Sequence, residues 1–271
     1  MNRLKTRHRV EVLKLLVEGN TSINFTANHV GVSKNTILKL ITDVGKVSLA
    51  FQDKMLRNLK LEKVQCDELW AFCYCKKKNL PKIKRKVEGA GDAWTWTAIC
   101  PDTKLVPCWL VGKRTATDAK TFMMDLASRL TGRVQLTTDG FRSYPEAVEY
   151  AFGEEVDFGS IVKTYGKKEG EDGQKVLDIQ IVSVLGSPDE EHISTSLIER
   201  QNLTMCMSMR RFSRKTNAHS KKLANHKASV AMHFMWYNFI RTHETLKTTP
   251  AIAAGVTRKQ WTWQNVLSLM S

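Results

Sequence analysis

The chain lacks several things, and each absence narrows its class. No apolar run approaches the roughly 18–20 residues that a membrane span needs. The start, Met1-Asn2-Arg3-Leu4-Lys5, has neither the apolar stretch nor the small-residue cleavage site of a secretory signal, so the expected location is the cytoplasm. The six cysteines (Cys66, Cys73, Cys75, Cys100, Cys108 and Cys206) form no C-x-x-C pair. In a reducing compartment they read as free thiols, with a zinc site on Cys66, Cys73 and Cys75 as the weaker alternative. Acid is scarcest at one end: residues 200–271 hold 12 Lys/Arg and a single acidic residue, Glu244.

What is present is base at both ends and acid between them. Residues 1–62 carry 11 Lys/Arg against 5 Asp/Glu, and residues 63–199 carry 19 against 21, within a total net charge of +15. A polyanion gripped by the ends, with chemistry in the middle, requires such a layout. With 271 residues and 42% hydrophobic content the chain has room for one good-sized domain and a small module.

Apolar spacing predicts a helix over 9–18, ended by Gly19-Asn20, then helices over 22–30 and 34–43 joined by Gly31-Val32-Ser33. Ser33 is a natural cap for the third helix. Small Ala27, Gly31 in the turn and Ile37 have the spacing of a helix-turn-helix. That reading leaves Lys34, Asn35, Thr36 and Lys39 exposed on a recognition helix, and the competing reading is a plain three-helix scaffold. Residues 46–62 read as a linker helix.

Strands are predicted over 63–74, 93–100, 104–111, 133–138 and 156–163, with a strand-like run over 176–184. The 76–91 stretch, holding seven Lys/Arg, reads as a basic hairpin tip or loop. Helices are predicted over 117–130 and around 144–152, from near Ser194, and over 221–241. Three strands, a helix, a strand and a helix give an α/β, ribonuclease-H-like mixed sheet with flanking helices, preceded by a small all-α helix-turn-helix module. The expected segments are 1–45 (helix-turn-helix), 46–62 (linker), 63–245 (catalytic domain) and 246–271 (tail).

Two-metal phosphodiester chemistry needs carboxylates from separate elements gathered at one end of a sheet. Asp67 sits in the first strand between Cys66 and Trp70, where an unpaired acid is costly. Two-residue alternation sends its neighbour Glu68 to the other face. Asp139 ends the fourth strand before Gly140, and Glu199 lies on a later helix. These three are the expected catalytic acids and metal ligands, with Mg2+ as cofactor and Mn2+ able to substitute. Arg200 and Asn202 follow Glu199 as candidate support for the site or for a phosphate, the alternative being a solvated helix face. Arg210, Arg211, Arg214, Lys215, Lys221 and Lys222 are expected to grip DNA phosphates, while Lys34, Asn35 and Lys39 read base edges.

From Gln65 to about Gly255 the sequence resembles bacterial DDE transposases of the insertion-sequence-one type. The strings that carry it are CDELWAFCYCKKKN, GDAWTWTAI, TKLVPCWLVGKR, VQLTTDGFRSY, HISTSLIERQNLTMCMSMRRFSRKTNAHSKK and HFMWYNFIRTHETLKTTPA. The resemblance implies a triad on Asp67, Asp139 and Glu199, double-stranded DNA partners (terminal inverted repeats and target), and a homo-oligomer, at least a dimer on DNA. This chain lacks the N-terminal cysteine zinc module that the family often carries. A ribonuclease-H-fold endonuclease without strand transfer, or a DNA-binding regulator with a relic core, are the alternatives.

Overall fold

The computed structural model describes residues 4–83, 87–166, 175–213 and 216–270. Lys84–Lys86 of the basic stretch, and Arg214 and Lys215 of the proposed phosphate grip, lie outside the described residues. The elements run α1 (Thr6–Leu13), α2 (Ile23–Val30), α3 (Lys34–Met55), β1 (Lys63–Cys73), β2 (Gly91–Ile99), β3 (Trp109–Gly112), α4 (Ala116–Ala127), β4 (Val134–Asp139), α5 (Tyr144–Phe152), β5 (Val156–Gly166), β6 (Lys175–Leu185), α6 (Ser196–Ser208), α7 (Leu223–Met235), α8 (Pro250–Ala253) and α9 (Trp263–Ser268).

The six strands form one sheet in the order β3-β2-β1-β4-β5-β6. β4 runs parallel to both β1 and β5, and β6 returns antiparallel to β5. This 3-2-1-4-5 mixed sheet with flanking helices is ribonuclease-H-like, as the element order predicted. The third strand is shorter than the expected 104–111 run. Lys104 takes a left-handed backbone (φ 59°), and pairing as a strand begins only at Trp109.

By internal contacts the chain divides into two units, Arg57–Leu69 with Trp96–Gln201, and Met1–Leu56 with Trp70–Thr95 and Asn202–Ser271. In the first, α4 and α5 pack together and the fully buried Trp96 lies near Phe122 and Tyr144 at ring distances of 5.9 and 5.7 Å. The indole N–H donates to the Lys113 carbonyl at 3.0 Å, so its burial leaves no orphaned donor. Thr115 caps α4 by accepting from the Asp118 N–H, and Pro145 at the start of α5 sets its first turn.

In the second unit, Ser22 and Ser33 cap α2 and α3, and Gly31 (φ 70°) supplies the left-handed turn between them. The third helix continues to Met55, however, where the sequence suggested a stop near Asp43 and a separate linker. Gly45 sits inside this helix because α3 presses on α7 there. A Cβ at Gly45 would lie 2.5 Å from that of Ala228. Two turns on, the buried Gln52 amide donates to the Ser48 and Ala231 carbonyls at 2.9 and 3.0 Å, locking the two helices in register. The N-terminal helices are thus part of a larger helical unit that includes α7. Gly45→Val should separate α3 from α7 and destabilise the chain by about 1–3 kcal/mol, as overpacking does. Calorimetric unfolding measures this, and an unchanged midpoint would exclude tight packing at this crossing.

Candidate active site

The parallel register pairs Cys66 of β1 with Thr138 of β4. One residue further stand Asp139, the last residue of β4, and Asp67, in the middle of β1 just past the end of its pairing with β4. Asp67, Glu68 and Asp139 each offer a carboxylate oxygen, and the three atoms lie within 4.8 Å of one another. Glu68 therefore belongs to the cluster, against the alternation that placed it on the opposite face. Pairing with β4 stops at Cys66, while β1 itself continues beside β2 to Cys73. The Asp67 carboxylate also folds back to accept the Glu68 N–H at 2.7 Å.

Two cations face these acids. Arg114, in the turn between β3 and α4, reaches Glu68 Oε2 at 3.3 Å and Asp139 Oδ2 at 3.5 Å, with its guanidinium 4.3 Å from the centre of the Phe141 ring. Nothing in the sequence pattern marked Arg114, since a single arginine in a turn has no periodicity to betray it. Lys163, on β5 two residues past the Ile161 that pairs with Asp139, hydrogen-bonds Glu199. Thr195 donates to the same carboxylate at 2.9 Å. Glu199 stands outside the three-acid group but is close enough to Asp139 to raise its proton affinity.

The helix bearing Glu199 is fastened to β1. Buried Gln65, two residues before Asp67, accepts the N–H groups of Leu197 and Ile198, both at 3.1 Å, on the first turn of α6. Arg200 is exposed, whereas Asn202 is buried, so the solvated-face reading does not hold for Asn202.

Burial, followed by the charge of Asp139, pushes the Glu68 carboxyl up to about 8, although Arg114 pulls the other way. Asp139 is raised too, again mainly by burial, and the Phe141 N–H and Arg114 oppose this. For Glu199 burial acts upward, but the Lys163 and Thr195 hydrogen bonds outweigh it and hold the group below the usual carboxylate range. A hard divalent cation fits this donor set. All three groups are carboxylates, and Glu68 Oε1 is buried with no hydrogen-bond partner. Among the described residues no other His, Cys, Asp or Glu group is arranged to hold a metal, so the zinc alternative finds no support there. Cys66 and Cys73 are buried free thiols, and Cys75 is half-buried.

The proposed DNA-contacting residues meet in the helical unit. Lys34, Asn35 and Lys39 line a cleft of about 690 Å³ together with Arg210, Arg211, Lys221 and Lys222. Asn20 ties its edge by donating to the Met207 carbonyl and accepting the Arg210 N–H. Arg211 differs from the rest: it donates to Ser220 at 2.8 Å, and burial lowers its guanidinium to about 10. Lys39 pairs with Asp43 at 2.7 Å.

No protein-family model matches the chain, and no curated protein matches it. Solved structures similar to it include a simian T-cell lymphotropic virus intasome in complex with a PP2A regulatory subunit (13% identity, 93% of this chain, 77% of that one, TM-score 0.41). Another is the Mos1 strand transfer complex (11% identity, 86% and 78% of the two chains, TM-score 0.27).

The raised Glu68 carboxyl has a consequence for stability. The folded chain holds this proton more tightly than the unfolded chain, whose ordinary value is 4.5. The resulting stabilisation is complete below that value, shrinks as pH rises, and is lost above about 8. Without divalent metal, thermal unfolding should therefore show stability falling through this window, and Glu68→Gln should flatten the fall. A variant with the same pH slope as the parent would remove Glu68 as its source.

Proposed function

We propose that this chain is a metal-dependent DNA transposase: it nicks DNA at transposon ends and joins the freed 3′-hydroxyl to target DNA. The observation that carries this reading is the gathering of Asp67 and Glu68, in the middle of β1, with Asp139, at the carboxyl end of the adjacent β4, in a ribonuclease-H-like sheet. Asp67, Asp139 and Glu199 are the proposed catalytic acids, and Glu68 joins them as a ligand. When bound there, Mg2+ or Mn2+ supplies Lewis-acid polarisation of the scissile phosphate and eases deprotonation of the attacking oxygen.

The chain's own groups do the remainder. Arg114 neutralises Asp139 and contacts Glu68 in the resting site, and its guanidinium is suited to a phosphate oxygen once those acids are otherwise engaged. Lys163 holds Glu199 ionised and can exchange that contact for DNA backbone. Gln65 keeps α6, and with it Glu199, in fixed relation to Asp67. Arg200 and Asn202 are proposed to support the phosphate or the site from the same helix. In the helical unit, Lys34, Asn35 and Lys39 would read bases while Arg210, Lys221 and Lys222 hold phosphates of the same duplex, since all six line one cleft. Arg211, engaged with Ser220, is the weaker contributor; Arg214 and Lys215 remain part of the proposed grip.

Asp67→Asn, Asp139→Asn and Glu199→Gln should each abolish Mg2+-dependent nicking of a terminal-repeat duplex, with DNA affinity changed less than about threefold. Any purified variant that still nicks loses its place among the catalytic acids. Mapping the nicks, then offering pre-cleaved ends with target DNA, separates a transposase from an endonuclease that cuts without joining. Absence of joined product under conditions that give nicking would favour the endonuclease.

Binding isotherms test the cleft. Neutralising Arg210, Lys221 and Lys222 together should weaken cognate and scrambled duplexes alike and flatten the salt dependence by nearly one slope unit per lost phosphate contact. Asn35→Ala should instead erode only the preference for the repeat, by roughly 1–3 kcal/mol. Equal weakening of both duplexes by Asn35→Ala would show that α3 is not the reader.

A further inference from the structure

Among the described residues β6 is the edge strand of the sheet, with β5 on one side and no strand on the other. Eight consecutive residues, Val176–Ser183, are exposed. Five are aliphatic: Val176, Leu177, Ile179, Ile181 and Val182, with exposures from 39% to 57%. Soluble proteins protect an edge with Lys, Pro, short strands or a covering element. Here the run contains neither Lys nor Pro, and Asp178 is its only charge.

The order of these residues suits pairing with itself. Antiparallel pairing about a two-fold normal to the sheet places residues of like parity opposite each other, so only a few registers need comparing. A register centred on Asp178 sets that carboxylate against its own copy, which is repulsive. Centring on Gln180 sets Asp178 against Val182, and centring on Ile181 sets Ile179 against Ser183. Centring on Ile179 matches every position: Ile179 with Ile179, Leu177 with Ile181, Val176 with Val182, and Asp178 with Gln180. The last two already show complementary groups, since Gln180 Nε2 donates to Asp178 Oδ2 at 3.0 Å within one chain. The centre also falls where β6 pairs regularly with β5, from Asp178 to Ser183.

We propose that β6 is a homodimerisation edge, on which a second copy of this chain pairs antiparallel about Ile179 and joins two six-stranded sheets. Pairing edge to edge satisfies the open backbone groups of β6 and sets the flanks of these five aliphatic side chains against those of the second copy. The proposal does not depend on the DNA chemistry above, and either can fail alone.

Sedimentation velocity of the full chain should reveal a dimer at micromolar concentration. Ile179→Lys combined with Ile181→Lys should raise its dissociation constant at least about 30-fold, with the unfolding midpoint unchanged when both proteins are compared at concentrations low enough to be monomeric. Register is tested separately, in a background carrying Cys75→Ser and Cys206→Ser. Under diamide, Ile179→Cys should form a covalent dimer, whereas Gln180→Cys, which faces Asp178 of the second copy, should not. A wild-type chain that stays monomeric to about 100 µM, or a folded double-lysine variant that dimerises as tightly as the parent, overturns the proposal. So does a cross-linking pattern in which both cysteines link equally or neither links.

Discussion

Mutual repulsion among carboxylates is the constraint around which the candidate site is organised. Two unit charges 4 Å apart interact by about 4 kcal/mol at an effective dielectric of 20, and three acids here share less than 5 Å. Such a group persists only if a proton, a cation or both reduce its charge. Glu68 takes the first course, since burial and Asp139 keep it protonated to about pH 8. Asp139 takes the second, through Arg114. Glu199 avoids the conflict by pairing with Lys163. Each neighbour of the cluster thus answers the same electrostatic demand in its own way. The demand would be met most fully by a divalent cation.

That arrangement depends on a scaffold that does not yield. β4 lies parallel between β1 and β5, which fixes Asp139 beside Asp67 on one side and opposite Ile161 on the other. The buried Trp96, with Phe122 and Tyr144 nearby, packs the interior beneath. Strand register, more than side-chain adaptation, sets which groups meet.

Much of this was legible in the chain itself. Strand and helix order follow from hydrophobic period, and Asp139 before Gly140 at a strand end marks a ligand position on any α/β sheet. Ser33 and Gly31 announce a cap and a turn through their own local chemistry. What escaped depended on partners distant in sequence. Gly45 looks like a helix end until Ala228 of α7 is seen to occupy the space of its missing side chain. Glu68 joins the cluster although alternation along β1 sends it away from Asp67, and only the three-dimensional grouping of the acids reveals it. Arg114 and Lys163 acquire meaning from the acids they face, and no spacing rule links them.

The Gln65 cap has a consequence for how anions can be held. The first turn of a helix commonly serves as a ready-made phosphate cradle, because its backbone N–H groups point outward unpaired. In α6 those donors are already committed: Ser196 N–H to Ser194 Oγ, Leu197 and Ile198 to Gln65, and Glu199 to the Thr195 carbonyl. The positive pole of this helix is used as an internal fastening rather than as a receptor. Any phosphate arriving beside Glu199 must therefore be met by side chains, each replaceable without loosening the main chain. Capture of an anion and integrity of the fold can consequently vary independently at this point of the molecule.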